Sequence, residues 1–352
     1  MDALSNPKVL RQIILVCTLL SSFCWYGISV QLNERDRIEE YSKRGYSYPV
    51  KDFLPNTKGW NDLMTRRMNQ ITEMEGSLQR YEAFYQVIHS ATLAPNFTEY
   101  GFGLAKCPEE LLTALQQGIH DGLETAGLED MSGTIDGPNP PLFVRRPDLT
   151  ERVLNELHSY TEEWVGMPLV AHQAYGFRVY RNESQLYMHT DRIETHVVSF
   201  ILHIDSSEDA EPWPIFIEDF HGRTHEVTLT PGDILFYESS KCFHGRPRPF
   251  NGSWYTSVFV HYYPAEDWKD LPHDLNTHYA IPLEWAEEPP AKKSHDVLEM
   301  VGTTMREPNC LNYWCNTVKD TVKWSGPAAE GELILPNMER IPFFPRLVSD
   351  EL

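Results

Sequence analysis

Two stretches decide the reading of this chain: Tyr180–Asp205, YRNESQLYMHTDRIETHVVSFILHID, and Pro231–Pro264, PGDILFYESSKCFHGRPRPFNGSWYTSVFVHYYP. Val197 to Ile204 is a nearly continuous apolar run, which predicts a strand buried on both faces. Ile234 to Tyr237 follows the Pro231-Gly232 turn and reads as a second strand. Trp254 to Tyr263, rich in aromatic and β-branched residues, reads as a third, entered by a tight turn at Asn251-Gly252. Residues i and i+2 of a strand share one face, so His189 and Asp191 are expected to point the same way from a single strand. His244 lies where a further strand brings in a third donor.

Two imidazoles and one carboxylate on one face of an ion leave the opposite positions open, the facial arrangement of non-heme Fe(II) oxygenases. A lone H-x-D is a weak signal in a chain with 14 histidines. The order H-x-D, apolar strand, P-G-D, apolar strand, His is far more specific. It predicts a small barrel or jelly roll with polar residues at its mouth.

These stretches resemble the 2-oxoglutarate/Fe(II)-dependent dioxygenases, and among them the prolyl 4-hydroxylase-like branch. The resemblance runs from about Ala171 to Pro264. It implies an α+β fold, with a double-stranded β-helix (jelly-roll) barrel buttressed by N-terminal helices. It also implies Fe(II) held by His189, Asp191 and His244, with 2-oxoglutarate and O2 as cosubstrates and ascorbate as reductant. The branch places a Tyr nine residues before the first ligand His to contact 2-oxoglutarate, and Tyr180 stands there. Ser199 and His203 match a small hydroxyl residue and an aromatic on the next strand. The chain departs from the pattern where a Lys or Arg is expected nine or ten residues after the distal His, because Ser253 and Trp254 stand there. A dicarboxylate needs a fixed cation or several donors. The candidates are Arg178 first, on the same strand face as Tyr180, then Arg246 or Arg248, with His203 as an added donor. The resemblance further implies hydroxylation of an amino-acid side chain in a protein or peptide, prolyl first. Asp191 fits this, since related halogenases lack the carboxylate and leave room for chloride. Hydroxylation of Asp, Asn, Lys or a small molecule, and a binding module without turnover, stay open.

The remaining sequence sets the context. The chain has 352 residues and a formal charge of −21, which speaks against a nucleic-acid partner, normally marked by a basic footprint. Ile13 to Val30 is uncharged and mostly apolar, with Lys8 and Arg11 before it. That pattern predicts a signal anchor and a single-pass type II membrane protein, with a cleaved signal peptide as the rival. The chain closes on Ser349, Asp350, Glu351 and Leu352, similar to the signals read by the retrieval receptor of the endoplasmic reticulum, so a lumenal location is expected. Asn96, Asn182 and Asn251 stand in glycosylation triplets. Of six cysteines, Cys17 and Cys24 fall in the apolar segment. Cys310 with Cys315 is the shortest pairing among the rest, and Cys242 reads as a buried apolar thiol.

Helices are expected over Trp60–Ile88, where Ile71, Leu78 and Tyr85 form a heptad seam, over Pro108–Gly127, and over Pro147–Val165, where Asp148 and Glu151 have capping-box spacing. His278 and His295 read as structural or solvent-facing. The expected division is 1–32 tail and anchor, 33–59 stem, 60–170 helical region, 171–264 dioxygenase barrel and 265–352 C-terminal extension.

Overall fold

The computed structural model describes residues 34–43, 50, 53–130, 133–266, 268, 298–318, 321–325, 332–333 and 341–342. The chain divides into two compact units, Met1–Pro49 and Val50–Leu352. In the first, Glu34–Lys43 is a helix.

The second unit is built on two sheets. Its strands are β1 Phe102–Lys106, β2 Gly127–Leu128, β3 Ile135–Asp136, β4 Leu142–Phe143, β5 Leu169–Arg181, β6 Gln185–His189, β7 Val198–Ser206 and β8 Ile215–Glu218. They continue as β9 Thr224–Thr228, β10 Asp233–Tyr237, β11 His244–Arg246, β12 Trp254–Pro264, β13 Glu299–Val301, β14 Thr304–Arg306 and β15 Val322–Ser325. One sheet runs β1-β10-β7-β12-β5-β4-β2, and the other β13-β14-β6-β11-β8-β9-β15. The eight strands β5 to β12 thus divide four and four between two antiparallel layers, the jelly-roll arrangement the sequence predicts. The structure shows these two sheets rather than a single closed barrel.

Strand periodicity explains the first sheet. On β7, Ser199, Ile201 and His203 face inward, while Phe200 meets Phe236 (5.3 Å between ring centroids) and Tyr262 (6.2 Å) on the outer face. Helices cover that outer face: Trp164 packs on Phe236, His158 stacks on Tyr262, and Tyr262 Oη donates to Leu154 O at 3.0 Å. With both faces buried, the strands read as apolar runs instead of alternating ones.

The expected helices form, with breaks. Lys58–Thr72 is one helix, burying Trp60, Leu63, Met64, Arg67 and Ile71 at helical spacing. The chain turns at Glu73–Gly76 and resumes at Ser77–Ala83, followed by a π-helical turn at Phe84–His89 and a short helix Ser90–Leu93. Glu109–Gly122 is helical, and Pro147–Val165 divides at Leu157 into Pro147–Glu156 and His158–Val165. No capping box forms at Asp148, whose carboxylate instead pairs with Arg146.

The C-terminal extension is part of the fold. β14 pairs with β6, setting Thr304 opposite His189, and β15 adds in parallel to β9. Cys310 and Cys315 form the expected disulfide, and Cys107 and Cys242 are free and buried.

The expected single-pass type II membrane topology is corrected: among the described residues no helix is long and apolar enough to cross a membrane. Ile13–Val30, on which that expectation fell, lies outside the described residues, as do Ser349, Asp350, Glu351, Leu352, His278 and His295. Asn96, Asn182 and Asn251 are all exposed.

Candidate active site

His189 closes β6 and His244 opens β11, and the two residues pair directly across the antiparallel ladder. The register alone therefore brings two imidazoles separated by 55 positions within 4.2 Å, centroid to centroid. Asp191 lies just beyond the end of β6 rather than on it, so the expectation of two ligands from one strand is corrected by two residues. Its backbone N–H donates to Ser239 O at 2.7 Å, which turns the carboxylate toward the histidines. Asp191 Oδ1 sits 3.8 Å from His189 Nε2 and 3.9 Å from His244 Nε2.

The hydrogen bonds fix which nitrogen is bare. His189 Nδ1 lies 2.9 Å from Tyr187 O, and His244 Nδ1 lies 2.9 Å from Cys242 O. A carbonyl only accepts, so each Nδ1 carries the proton and each Nε2 presents a lone pair to the shared centre. Metal-ligating histidines are oriented in this way. Burial holds both imidazoles neutral, pushing His189 down to about 4 and His244 well below its ordinary value. A cation at the shared centre offsets the cost of burying the Asp191 carboxylate, whose Oδ1 faces both bare nitrogens. These three residues form one of two groups with metal-ligand spacing among the described residues. The other is Glu307, Cys310 and Cys315, whose thiols are consumed in the disulfide.

Burial also raises the Asp191 carboxyl to about 7, with the hydroxyls of Ser239 and Ser199 pulling it partly back. Only the ionised carboxylate is a ligand, so below that value a proton competes with the metal. Divalent-metal affinity is expected to rise about tenfold per pH unit as pH increases toward 7 and to level off above it. Calorimetric titration with Mn(II) in buffers of different ionisation enthalpy checks this, since the expected proton release at pH 6 disappears above pH 8.

Around the triad lies a cavity of about 220 Å3, several times the ~30 Å3 share of one water. Both sheets line it: Arg178, Ile201, Tyr237, Phe259 and His261 from one, Leu186, His189 and His244 from the other. The structure sorts the candidates for the dicarboxylate. Arg178 lines the cavity, its Nε and Nη2 held by Glu129 at 2.7 and 2.8 Å. Tyr180 is buried beside it, with the Arg178 guanidinium 5.8 Å from the ring, and Tyr180 Oη has no hydrogen-bond partner. Ser257, opposite Arg178 in the β5–β12 register, has a buried Oγ that is likewise unpartnered.

The other candidates lie elsewhere. Arg246 is sandwiched between Trp213 and Tyr255, 4.7 Å from each ring, and its Nη2 donates to Tyr255 Oη. His203 stacks on Tyr255 at 4.0 Å with its Nδ1 against Thr256 O. Arg248 pairs with Glu226 at 2.7 Å. None of these three lines the cavity, because their neighbours already use their donors. Ser199 is at the site in a different role: its Oγ bridges Ser239 Oγ (2.6 Å) and His261 Nδ1 (2.8 Å), close to Asp191.

His261, Ser239, Tyr175 and Glu129 belong to the site without having been singled out by the sequence. His261 Nδ1 lies 3.6 Å from Asp191 Oδ2, and His196 packs on His261 at 3.9 Å. The one available signal was the strand period, since His261 follows Tyr255, Ser257 and Phe259 on the inner face of β12. A second, wider cleft of about 760 Å3 adjoins the metal cavity, with Tyr175 lining both. Glu129 lines the wider cleft as well, so the Arg178–Glu129 pair stands between the two spaces.

No protein-family model and no curated protein matches the chain. Solved structures do. A prolyl-4-hydroxylase from Pseudomonas putida is 15% identical, the match covering 47% of this chain and 93% of that one, with a TM-score of 0.37. HygX from Streptomyces hygroscopicus, solved with nickel, 2-oxoglutarate and hygromycin B bound, is 13% identical over 48% of this chain and 85% of that one, TM-score 0.37. A prolyl hydroxylase from Trichoplax adhaerens, in complex with a hypoxia inducible factor oxygen degradation domain peptide fragment, is 12% identical over 57% of this chain and 98% of that one, TM-score 0.39.

Proposed function

We propose that this chain is an Fe(II)- and 2-oxoglutarate-dependent dioxygenase that hydroxylates an amino-acid side chain of a peptide or protein, prolyl residues first. The observation that carries the reading is the triad of His189, Asp191 and His244, with both Nε2 lone pairs and Asp191 Oδ1 converging on one point. Fe(II) held there, with 2-oxoglutarate and O2, supplies the oxidising power that adds one oxygen atom to a C–H bond while 2-oxoglutarate leaves as succinate and carbon dioxide.

The chain's own residues do the rest. Three ligands on one side leave the cavity side of the centre open. Arg178 is the one Arg or Lys lining that cavity among the described residues. Glu129 takes its Nε and Nη2, which leaves Nη1 to donate to the far carboxylate of 2-oxoglutarate. Ile201 and Phe259 give the cavity apolar walls that limit water around the reacting centre. The adjoining cleft, which shares Tyr175 with the metal cavity, suits a peptide lying beside the site. The test is succinate formation from 2-oxoglutarate by the full chain with Fe(II) and ascorbate, followed by a peptide screen for products heavier by one oxygen atom. A protein that binds neither Fe(II) nor 2-oxoglutarate in titration overturns the reading.

Arg178→Lys keeps the charge but loses the planar fork. A hydrogen bond to a charged group contributes about 1.5–3 kcal/mol, so the KM for 2-oxoglutarate is expected to rise ~10–100-fold with metal affinity unchanged. An unaltered KM would make Arg178 a structural partner of Glu129 alone. Arg178→Met is the poorer test, since it strands Glu129 as an unpaired buried charge.

A further inference from the structure

Asp191 is the ligand with the weakest backbone support from the sheets. β6 ends at His189, so the peptide groups of Thr190 and Asp191 lie outside the ladder. What holds them comes from a helix about a hundred positions earlier. Gln86 Nε2 lies 2.9 Å from Asp191 O, 3.2 Å from Thr190 O and 3.0 Å from Thr190 Oγ1. Its neighbour Tyr85 donates from Oη to Glu194 Oε1 at 2.5 Å, on the same loop.

The backbone of this helix is unusual where it does so. Phe84–His89 is a π turn, closed by i→i+5 hydrogen bonds. Such turns are rare and cluster at functional sites. The wider turn reduces the angle between successive side chains, so two adjacent residues, Tyr85 and Gln86, reach one loop. Phe84, Val87 and Ile88 are buried on the other side and fix the turn in the core.

The geometry points to Gln86 as a positioning residue for the metal centre: with Ser239 O taking the Asp191 N–H, its amide completes a two-sided hold on the Asp191 peptide and so sets the carboxylate against His189 and His244. This rests on the triad being a metal site. The inference adds that the aim of the carboxylate is set by the helical layer and not by the strand alone. Tyr85 and Glu194 form a second tie that limits the same loop.

The test measures Co(II) affinity and the visible Co(II) spectrum of the full chain, which report the ligand field without turnover. Gln86→Met keeps the side-chain length and removes the donor. Gln116→Met is the control, since Gln116 Nε2 also donates to a backbone carbonyl, Ile204 O at 3.2 Å, on the far side of the first sheet. Loss of a partner that orients a ligand typically costs about 10–100-fold in metal affinity. Gln86→Met is expected to show that loss with a shifted spectrum, while its metal-free unfolding midpoint falls no further than that of Gln116→Met. Co(II) binding equal to wild type, or an equal loss in both variants, overturns the inference. If Gln86→Met does not fold, Gln86→Ala removes the same donor with less bulk, and a spectrum identical to wild type then overturns it. A wild-type chain that takes up no Co(II) would instead overturn the metal site itself.

Discussion

His189→Ala and His244→Ala are each expected to reduce succinate formation to the level of a protein-free control. Among the described residues three protein donors converge on the centre, and each substitution leaves two. Loss of a residue that merely orients a ligand costs about 10–100-fold in metal affinity, so loss of the ligand itself costs more. The fold should survive. Each imidazole is neutral and makes one hydrogen bond through Nδ1, to Tyr187 O or Cys242 O. Removing it leaves one carbonyl unsatisfied, at about 1–3 kcal/mol. Circular dichroism should therefore match the wild type while Fe(II) titration shows no binding. His203→Ala is the contrast, since it deletes a buried histidine that stacks on Tyr255 away from the triad, and its metal binding should persist. Turnover retained in both triad variants would place the metal elsewhere and remove the basis for the proposed activity.

The two kinds of residue in this site differ in how far a sequence reveals them. The three triad residues were legible as an H-x-D and a later His among strands such as Val198–Ser206 that announce themselves as apolar runs, while the end of β6 before Asp191 was not. The order among Arg178, Arg246 and Arg248 rested on strand face alone, which put Arg178 first without showing what each arginine binds. All three are arginines near the motif, and what separates them is which partner each has already taken: Glu129, the Trp213 and Tyr255 pair, or Glu226. Those partners lie up to 49 positions away in sequence. Gln86 was hidden for the same reason, 105 positions from the carbonyl it binds. The break at Glu73–Gly76 was masked by a heptad spacing that continues through it, because Leu78, counted in the seam, is 66% exposed. The C-terminal extension gave no periodic signal at all. Its place depends on a few polar contacts, and periodicity reports apolar faces.

Those contacts carry the second large effect, on stability. Arg67, fully buried on the helix Lys58–Thr72, places Nη1 2.9 Å from Glu307 Oε1 and Nη2 3.7 Å from Glu218 Oε1. Its guanidinium lies 4.1 Å from the Trp314 ring. Gln70 and the Cys315 N–H also donate to Glu307, and Trp314 Nε1 and the Asn316 amide donate to Glu218. One arginine thus ties a helix, β8 and the C-terminal segment together. Burial pushes the Glu307 carboxyl up, but Arg67 and Arg66 outweigh it and hold it below its ordinary value. Burial raises Glu218, with Arg67 pulling it back.

Arg67→Ala takes from buried Glu218 the cation that opposes its burial and leaves Glu307 with Arg66, and breaking a buried pair in this way costs about 3–5 kcal/mol. At roughly 2–4 °C per kcal/mol for a domain of this size, Tm should fall by about 10 °C. The sign of the pH dependence identifies the cause. Without Arg67 the Glu218 carboxyl, already raised by burial, is raised further, so the penalty is present at neutral pH and shrinks as pH falls and Glu218 takes up a proton. Arg67→Met combined with Glu218→Gln should recover most of the loss, because Glu307 keeps Arg66 and no unpaired buried charge remains. A penalty that stays constant between neutral and acid pH would assign the effect to lost packing on Trp314 instead. The segment released by Arg67→Ala carries Thr303, which lines the metal cavity, and Thr304, which pairs with His189. Metal affinity is therefore expected to fall along with stability, so that a residue remote from the triad decides whether its first ligand is held in place.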